Sequence, residues 1–454
     1  MGPVLRSSAL LLVLLAACGD DHAATPADAA RGPDADAGIA PGSDAASVDP
    51  VIARAAALVE EGRQTFRYDT FGDEAFWSGA LGLHRAIAGA AHGGVGDGIS
   101  PATALALGLK VDVDALPADL QTALAGGHVD LNDPATTLAL LQLDAVVGVT
   151  GHFDSAGTLT AVGVQCALCH STVDDSFAPG VGKRRDGWPN RDLDIGSIVA
   201  AAPDLSVVAT LLDVDQATVR TVLHSWGPGK FDAEVFLDGK AFRAGGASAA
   251  TLIPAAAGLL GVNQHTYTGW GSMTYWNAFV ANLEMHGQGT FYDPRLDDAA
   301  RFPVAAANHF GHVAATEDRI TPRLGALEYY QLTLAPPAPP PGSFDAAAAA
   351  RGKVVFDGVA RCASCHVPPL YTEPGWNMHT PAEIGIDDFQ AARSPDGRYR
   401  TTPLGGLWAR RTGGFYHDGR FATLDEVVAH YATVLGFTLQ GTQEADLVEF
   451  LESI

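Results

Sequence analysis

Basic residues are scarce in this chain: 28 Lys and Arg stand against 52 Asp and Glu, for a formal charge of −24 over 454 residues. Phosphate backbones are bound through clustered Lys and Arg, so the composition argues against a nucleic-acid partner; the same negative field favours a protein partner with a basic face. Cysteine is scarcer still. There are five, Cys18, Cys166, Cys169, Cys362 and Cys365, and their grouping leaves none for a structural disulfide framework. No apolar run approaches the ~20 residues that a spanning helix needs, and no sustained alternation of apolar and polar residues announces a large sheet. What remains is ordinary globular composition, 47% hydrophobic and 18% charged, in a chain long enough for two or three compact units.

The N-terminus reads as an address. Met1 to Arg6 carries one Arg, Ser7 to Ala17 is an apolar stretch rich in Leu, and Leu15-Ala16-Ala17-Cys18 follows. The apolar stretch is too short to cross a bilayer and suits a signal peptide. The four residues ending at Cys18 resemble the lipobox of bacterial lipoproteins, which implies a signal peptide over 1–18 and a lipid on the Cys18 sulfur. Two acyl chains suffice for stable anchoring. Residues 19–50 are rich in Ala, Asp, Pro and Gly and are expected to form a disordered tether. The expected location is the envelope of a Gram-negative bacterium, on the periplasmic side or the surface, with a lipid anchor in the membrane.

The rest of the chain predicts a mostly α protein with little β. Pro336 to Gly342 contains five prolines and is the expected boundary between an enlarged domain over 51–335 and a second over 343–454. Helices are expected at Ala55–Glu61, Leu138–Val147, Ala346–Phe356 and Gln443–Leu451, and short strands around Val147–Val149 and Thr158–Val164. Gly62-Arg63 with Phe66 echoes Gly352-Lys353 with Phe356, a faint internal repeat.

Cys166-Ala167-Leu168-Cys169-His170 and Cys362-Ala363-Ser364-Cys365-His366 are both C-x-x-C-H, the attachment signature of c-type haem. Two thiols three residues apart meet the two vinyl groups of one porphyrin edge, and the adjacent imidazole reaches the iron from the same helical face. Cys166, Cys169, Cys362 and Cys365 are thus expected to bind two haems covalently, with His170 and His366 as proximal iron ligands. A thioredoxin-type pair would sit in a βαβ pattern, and a zinc site would need a fourth ligand; the sequence offers neither.

The sixth ligand separates an electron carrier from a catalyst, since two strong protein ligands block access to iron. In the second domain the candidates are Met378, His430 and Tyr431, with His379 and His417 nearby. The first domain offers His224, His265, His286, His309, His312, Met273 and Met285.

Around the second C-x-x-C-H, several stretches resemble the bacterial dihaem cytochrome c peroxidase and MauG family. They are Leu370-Tyr371-Thr372-Glu373 through His379 and Gly385, Tyr399-Arg400-Thr401-Thr402-Pro403-Leu404, and Phe415-Tyr416-His417-Asp418-Gly419-Arg420 with Ala422 to Val428. The likeness covers about a quarter of the chain, and the larger domain diverges from it. It implies two cytochrome c-like haem domains, a distal ligand at Tyr431 where peroxidases carry Met, and a calcium ion between the domains held partly by carbonyls near Thr402-Pro403. It also raises a charge-relaying role for Trp408 or Trp376, against simple packing. The expected function is that of an exported dihaem cytochrome acting as a peroxidase-like oxidoreductase; the alternative is a pure electron carrier with both irons six-coordinate.

Overall fold

Two helix crossings, each closed at a glycine, organise the chain. In the computed structural model, which describes residues 49–454 apart from Pro374, the Pro50–Tyr68 helix crosses the Thr321–Thr333 helix. Gly62 lies so close to the Ala326 carbonyl that a Cβ would stand 1.9 Å from its oxygen. The Ala346–Asp357 helix crosses the Gln443–Ser453 helix in the same way, with a Cβ on Gly352 falling 1.8 Å from the Asp446 oxygen. Four residues on, Phe66 meets Tyr330 edge-on at 5.6 Å, and Phe356 meets Phe450 at 5.0 Å. The echo between Gly62…Phe66 and Gly352…Phe356 is therefore one packing device used twice: missing side chains let backbones touch and an aromatic pair locks the crossing. The signal-peptide and lipobox readings, Cys18 included, and the tether up to residue 48 lie outside the described residues; Pro50, expected to end the tether, instead begins the first helix.

The fold is mostly α, with 44% of the described residues helical and 10% in strands. Strands occur among the described residues as five two-stranded sheets. The longest pairs Val149–Phe153 with Leu159–Val164, close to the expected positions. The helix expected over Leu138–Val147 is shorter and earlier, Pro134–Gln142. Asp133 caps its start by accepting from the Ala135 N–H, and Asp144 turns left-handed at φ 51° just past its end. Val147 then donates its N–H to the Lys110 carbonyl, a tertiary bond that helical periodicity cannot reveal.

The apolar cores stay on their own sides of the Pro-rich segment. One cluster gathers Ala349, Val355, Phe356, Leu407, Leu424, Val428, Leu447, Phe450 and Leu451; the others draw only on residues before it. Between the halves lies a contact with a buried polar part. Arg393 is 1% exposed and pairs with Asp232 and Asp238, each buried in the earlier half. The Leu252 N–H donates to the His417 carbonyl at 2.7 Å. The Pro-rich segment itself is pinned, since the Pro337 carbonyl accepts from Trp408 Nε1 and Pro336 lies against Gly258 and Gly405. Residues Pro50–Ile454 accordingly form one compact unit.

Asp73 makes a test of burial at the hairpin. Its carboxylate is 0% exposed and accepts the Val164 N–H at 3.2 Å. Burial pushes its carboxyl up to about 9. The folded chain thus keeps a proton that the unfolded chain, titrating near ~3.9, has lost, so this group lowers stability progressively as pH rises from about 4 to about 9. Asp73→Asn is expected to raise stability at pH 8 by roughly 1–3 kcal/mol and to leave it unchanged at pH 4. Urea titrations at the two pH values measure the difference; equal effects at both would contradict the burial argument.

Candidate functional site

Each C-x-x-C-H opens on a cavity, and the two are built alike. In the first half Cys166 precedes the one-turn Ala167–His170 helix, and the His170 N–H donates to the Cys166 carbonyl at 3.1 Å. In the second half the Cys362–Ser364 turn does the same, with the His366 N–H on the Cys362 carbonyl at 2.9 Å. One helical turn brings both thiols and the imidazole to one wall in each case.

The imidazoles are oriented identically. His170 Nδ1 stands 3.1 Å from the Pro254 carbonyl oxygen, and His366 Nδ1 stands 2.9 Å from that of Tyr371. A carbonyl can only accept, so Nδ1 carries the proton and the Nε2 lone pair is free for a metal. This is the outer hydrogen bond that fixes tautomer and ring angle in metal-ligating histidines. Burial pulls the His170 ring down to about 4 and lowers that of His366 as well, which keeps both neutral.

The thiols are not tuned for redox exchange. Burial pushes Cys166 and Cys169 up to about 12 and Cys362 up to about 11, the reverse of the lowered values that activate a reactive pair. Cys365, Glu373 and His379 do approach within 4.8 Å of one another. The Glu373 carboxylate, however, already accepts from His379, Thr401 and Asn377, and three donors fall short of a tetrahedral zinc set.

Buried polar atoms without protein partners gather on the cavity walls. The first cavity carries Thr266 Oγ1, Trp276 Nε1 and Gln390 Oε1; the second carries the Nε atoms of Arg191, Arg400 and Arg410 with His417 Nε2. Native interiors rarely leave such groups unpaired. A flat apolar ring with two carboxylate arms, joined to the thiols and ligated by Nε2, fits these walls.

The sequence candidates separate cleanly. Tyr431, on the Leu424–Leu435 helix, lines the second cavity, as do His379 and His417. Burial raises the Tyr431 hydroxyl and holds His417 down at about 4. His430 is turned away, its Nε2 2.8 Å from the Ile384 carbonyl, and the Met378 sulfur lies against Gly269. In the first half His265, Met273 and Met285 line the cavity. His265 Nε2 is tied to the Val262 carbonyl, His286 stacks on Phe76, and His224, His309 and His312 are exposed. Trp376 is 71% exposed, and Trp408 packs edge-on against Trp188; neither lines either of these two cavities.

Sequence reading missed the residues shared between the cavities. Tyr267 and Arg400 line both and are joined by the Arg400 N–H on the Tyr267 carbonyl at 3.0 Å. Glu284 was missed too. It lies on the first wall, where burial, with Glu234 and Asp232 nearby, pushes its carboxyl up to about 8. Glu284 carries no local signature, and Arg400, though within a stretch that resembles the family, had no role of its own there, because each site is assembled by elements far apart in the chain.

Calcium does not fit at Thr402-Pro403. The Pro403 and Gly405 carbonyls accept from Arg410 Nη2 at 2.9 and 3.0 Å, so a guanidinium already sits where the divalent cation was expected.

No protein-family model matches the chain, and no curated protein matches it. Among solved structures it is similar to a MauG-like protein associated with microbial copper homeostasis, at 16% identity and a TM-score of 0.31 over 48% of this chain and 78% of that one. It is also similar to hydrazine synthase of Kuenenia stuttgartiensis, at 17% identity and a TM-score of 0.27 over 49% and 86%.

Proposed function

We propose that this chain is an exported dihaem c-type cytochrome whose work is electron transfer, used for peroxidase-like oxidation. The observation that carries the reading is the repeated site: two C-x-x-C-H turns, each with its imidazole Nδ1–H held by a backbone carbonyl and its Nε2 left free at a cavity. A haem bound at each site would supply a one-electron couple and, where its sixth position is open, a Lewis-acidic metal.

The chain's own residues divide the labour. Cys166, Cys169, Cys362 and Cys365 would hold the two groups, and His170 and His366 would each offer an imidazole nitrogen to the metal. Tyr431, on the wall of the second cavity, would offer a phenolic oxygen to the group held there. At the first site Glu284 is a neutral acid at pH 7, able to hold a proton on the cavity wall and release it to an oxidant. Tyr267, standing between the cavities, shortens the path for charge. The resemblance of the C-terminal stretches to the dihaem peroxidase and MauG family supports the same assignment. Cys18 anchors the protein by lipid at the envelope membrane, and the acidic surface suits a redox partner with a basic face.

The pure-carrier reading is favoured by Met273 and Met285, thioethers that line the first cavity. Electron paramagnetic resonance separates the two. Protein made in a host with working cytochrome maturation is expected to hold two haems, and one after Cys166→Ala with Cys169→Ala. A high-spin ferric signal with peroxide turnover supports catalysis, whereas two low-spin signals leave only the carrier. Tyr431→Phe is expected to change the spectrum of the Cys362 site alone. A colourless wild-type protein would sink the reading altogether.

A further inference from the structure

Three guanidinium groups converge on the second cavity without an acid among them. Arg191 comes from the earlier half and is 8% exposed; Arg400 and Arg410 come from the later half. Their hydrogen bonds go only to carbonyls: Arg191 to Thr412, Arg400 to Gln264, Arg410 to Pro403 and Gly405. No carboxylate lies within ion-pairing distance of any of the three among the described residues, whereas the buried Arg393 and the part-buried Arg243 are both ion-paired. The Nε atom of each is buried and without a partner. They also repel one another, Arg410 acting on Arg400 and Arg191 on Arg410.

Three like charges at a closed wall are costly unless anions meet them. Guanidinium groups match carboxylates in geometry and charge. We infer that Arg191, Arg400 and Arg410 form the propionate cage of the Cys362 haem, that Arg400, lining both cavities, also faces the Cys166 haem, and that this trio takes the interdomain cation role that calcium was expected to fill. The inference rests on the haem reading proposed above. Its consequence is electrostatic. A fixed cation near the iron disfavours the ferric state, which carries one more positive charge than the ferrous, and so raises the midpoint potential. Because Arg191 reaches across from the other half, docking of the halves and the potential of the second site are tied together.

The test is a spectroelectrochemical titration of the holoprotein, with haem content measured first. Arg400→Gln is expected to lower both midpoint potentials, by about tenfold in the reduction equilibrium constant or about 59 mV for a one-electron couple. Arg410→Gln and Arg191→Gln lower that of the Cys362 site and leave the Cys166 site within error. Arg400→Lys, which keeps the charge, recovers most of the shift, a rescue that a purely structural role does not provide. Calcium chelation leaves every potential unchanged. Two haems with wild-type potentials in Arg400→Gln overturn the cage; so does a loss of potential on chelation. If Arg400→Gln fails to load, the Arg191→Gln and Arg400→Lys titrations decide by the same criteria. A wild-type protein without haem overturns the function reading instead.

Discussion

Arg393→Met lowers the stability of the folded chain by about 3–5 kcal/mol, with the deficit growing as pH rises above ~4. Arg393 and Asp232 are among the least exposed charged groups, at 1% and 0%, and Asp238 is 6% exposed. The guanidinium holds Asp238 at 2.9 Å through Nε and Asp232 at 3.0 Å through Nη2. Glu234 stands beside them, its carboxylate accepting from Gln390 at 2.6 Å. Burial alone would pull Arg393 down, but the three acids hold it well above its ordinary value. Burial raises Asp232 and Glu234 despite Arg393, so one cation barely sustains the group. Removing it leaves carboxylates with no counter-charge and drives their folded-state values further up. The unfolded chain releases these protons near ~3.9, the folded variant only at higher pH, and by linkage its stability falls across that window. Urea denaturation at pH 4.5 and pH 7.5 measures this. An equal loss at both would mean that the site responds to lost packing rather than to uncompensated charge.

Gly352→Ala and Gly62→Ala come next, each costing about 3 kcal/mol or more, at the upper end for overpacking. The added Cβ meets backbone, not a movable side chain: the Asp446 oxygen at 1.8 Å in one case and the Ala326 oxygen at 1.9 Å in the other. The helices must part, and the Phe356–Phe450 or Phe66–Tyr330 contact opens with them. Gly325 is the control of opposite sign. It lies on the exposed face of the Thr321–Thr333 helix with nothing within 4 Å of a built Cβ, so Gly325→Ala is expected to stabilise by roughly 0.5–1 kcal/mol through helix propensity. Thermal unfolding of the three variants tests the set. A neutral Gly352→Ala would show that the crossing has slack that the geometry denies.

Much of the fold and half of the site were legible in the chain itself. The helices at Ala346–Phe356 and Gln443–Leu451 were legible because helical spacing is a local property. The helix expected to run to Val147 failed at Gln142, where the Val147–Lys110 hydrogen bond, a tertiary contact, takes over from periodicity. Met378 and His430 were reasonable ligand candidates by type and position, yet the His430 ring is hydrogen-bonded to the Ile384 carbonyl and the Met378 thioether lies beside Gly269. Side-chain direction depends on neighbours distant in sequence, so proximity along the chain could not decide between them and Tyr431.

By itself the sequence determined where the two thiol pairs and their imidazoles stand, since three- and four-residue spacing on one turn is set by backbone geometry. Only the tertiary structure decided which nitrogen of each imidazole is free, which distal candidate meets a cavity, and which cations gather between the halves. Those depend on carbonyls and guanidinium groups brought from more than two hundred residues away, as in the Arg191–Thr412 contact, and burial, not spacing, sets their charge.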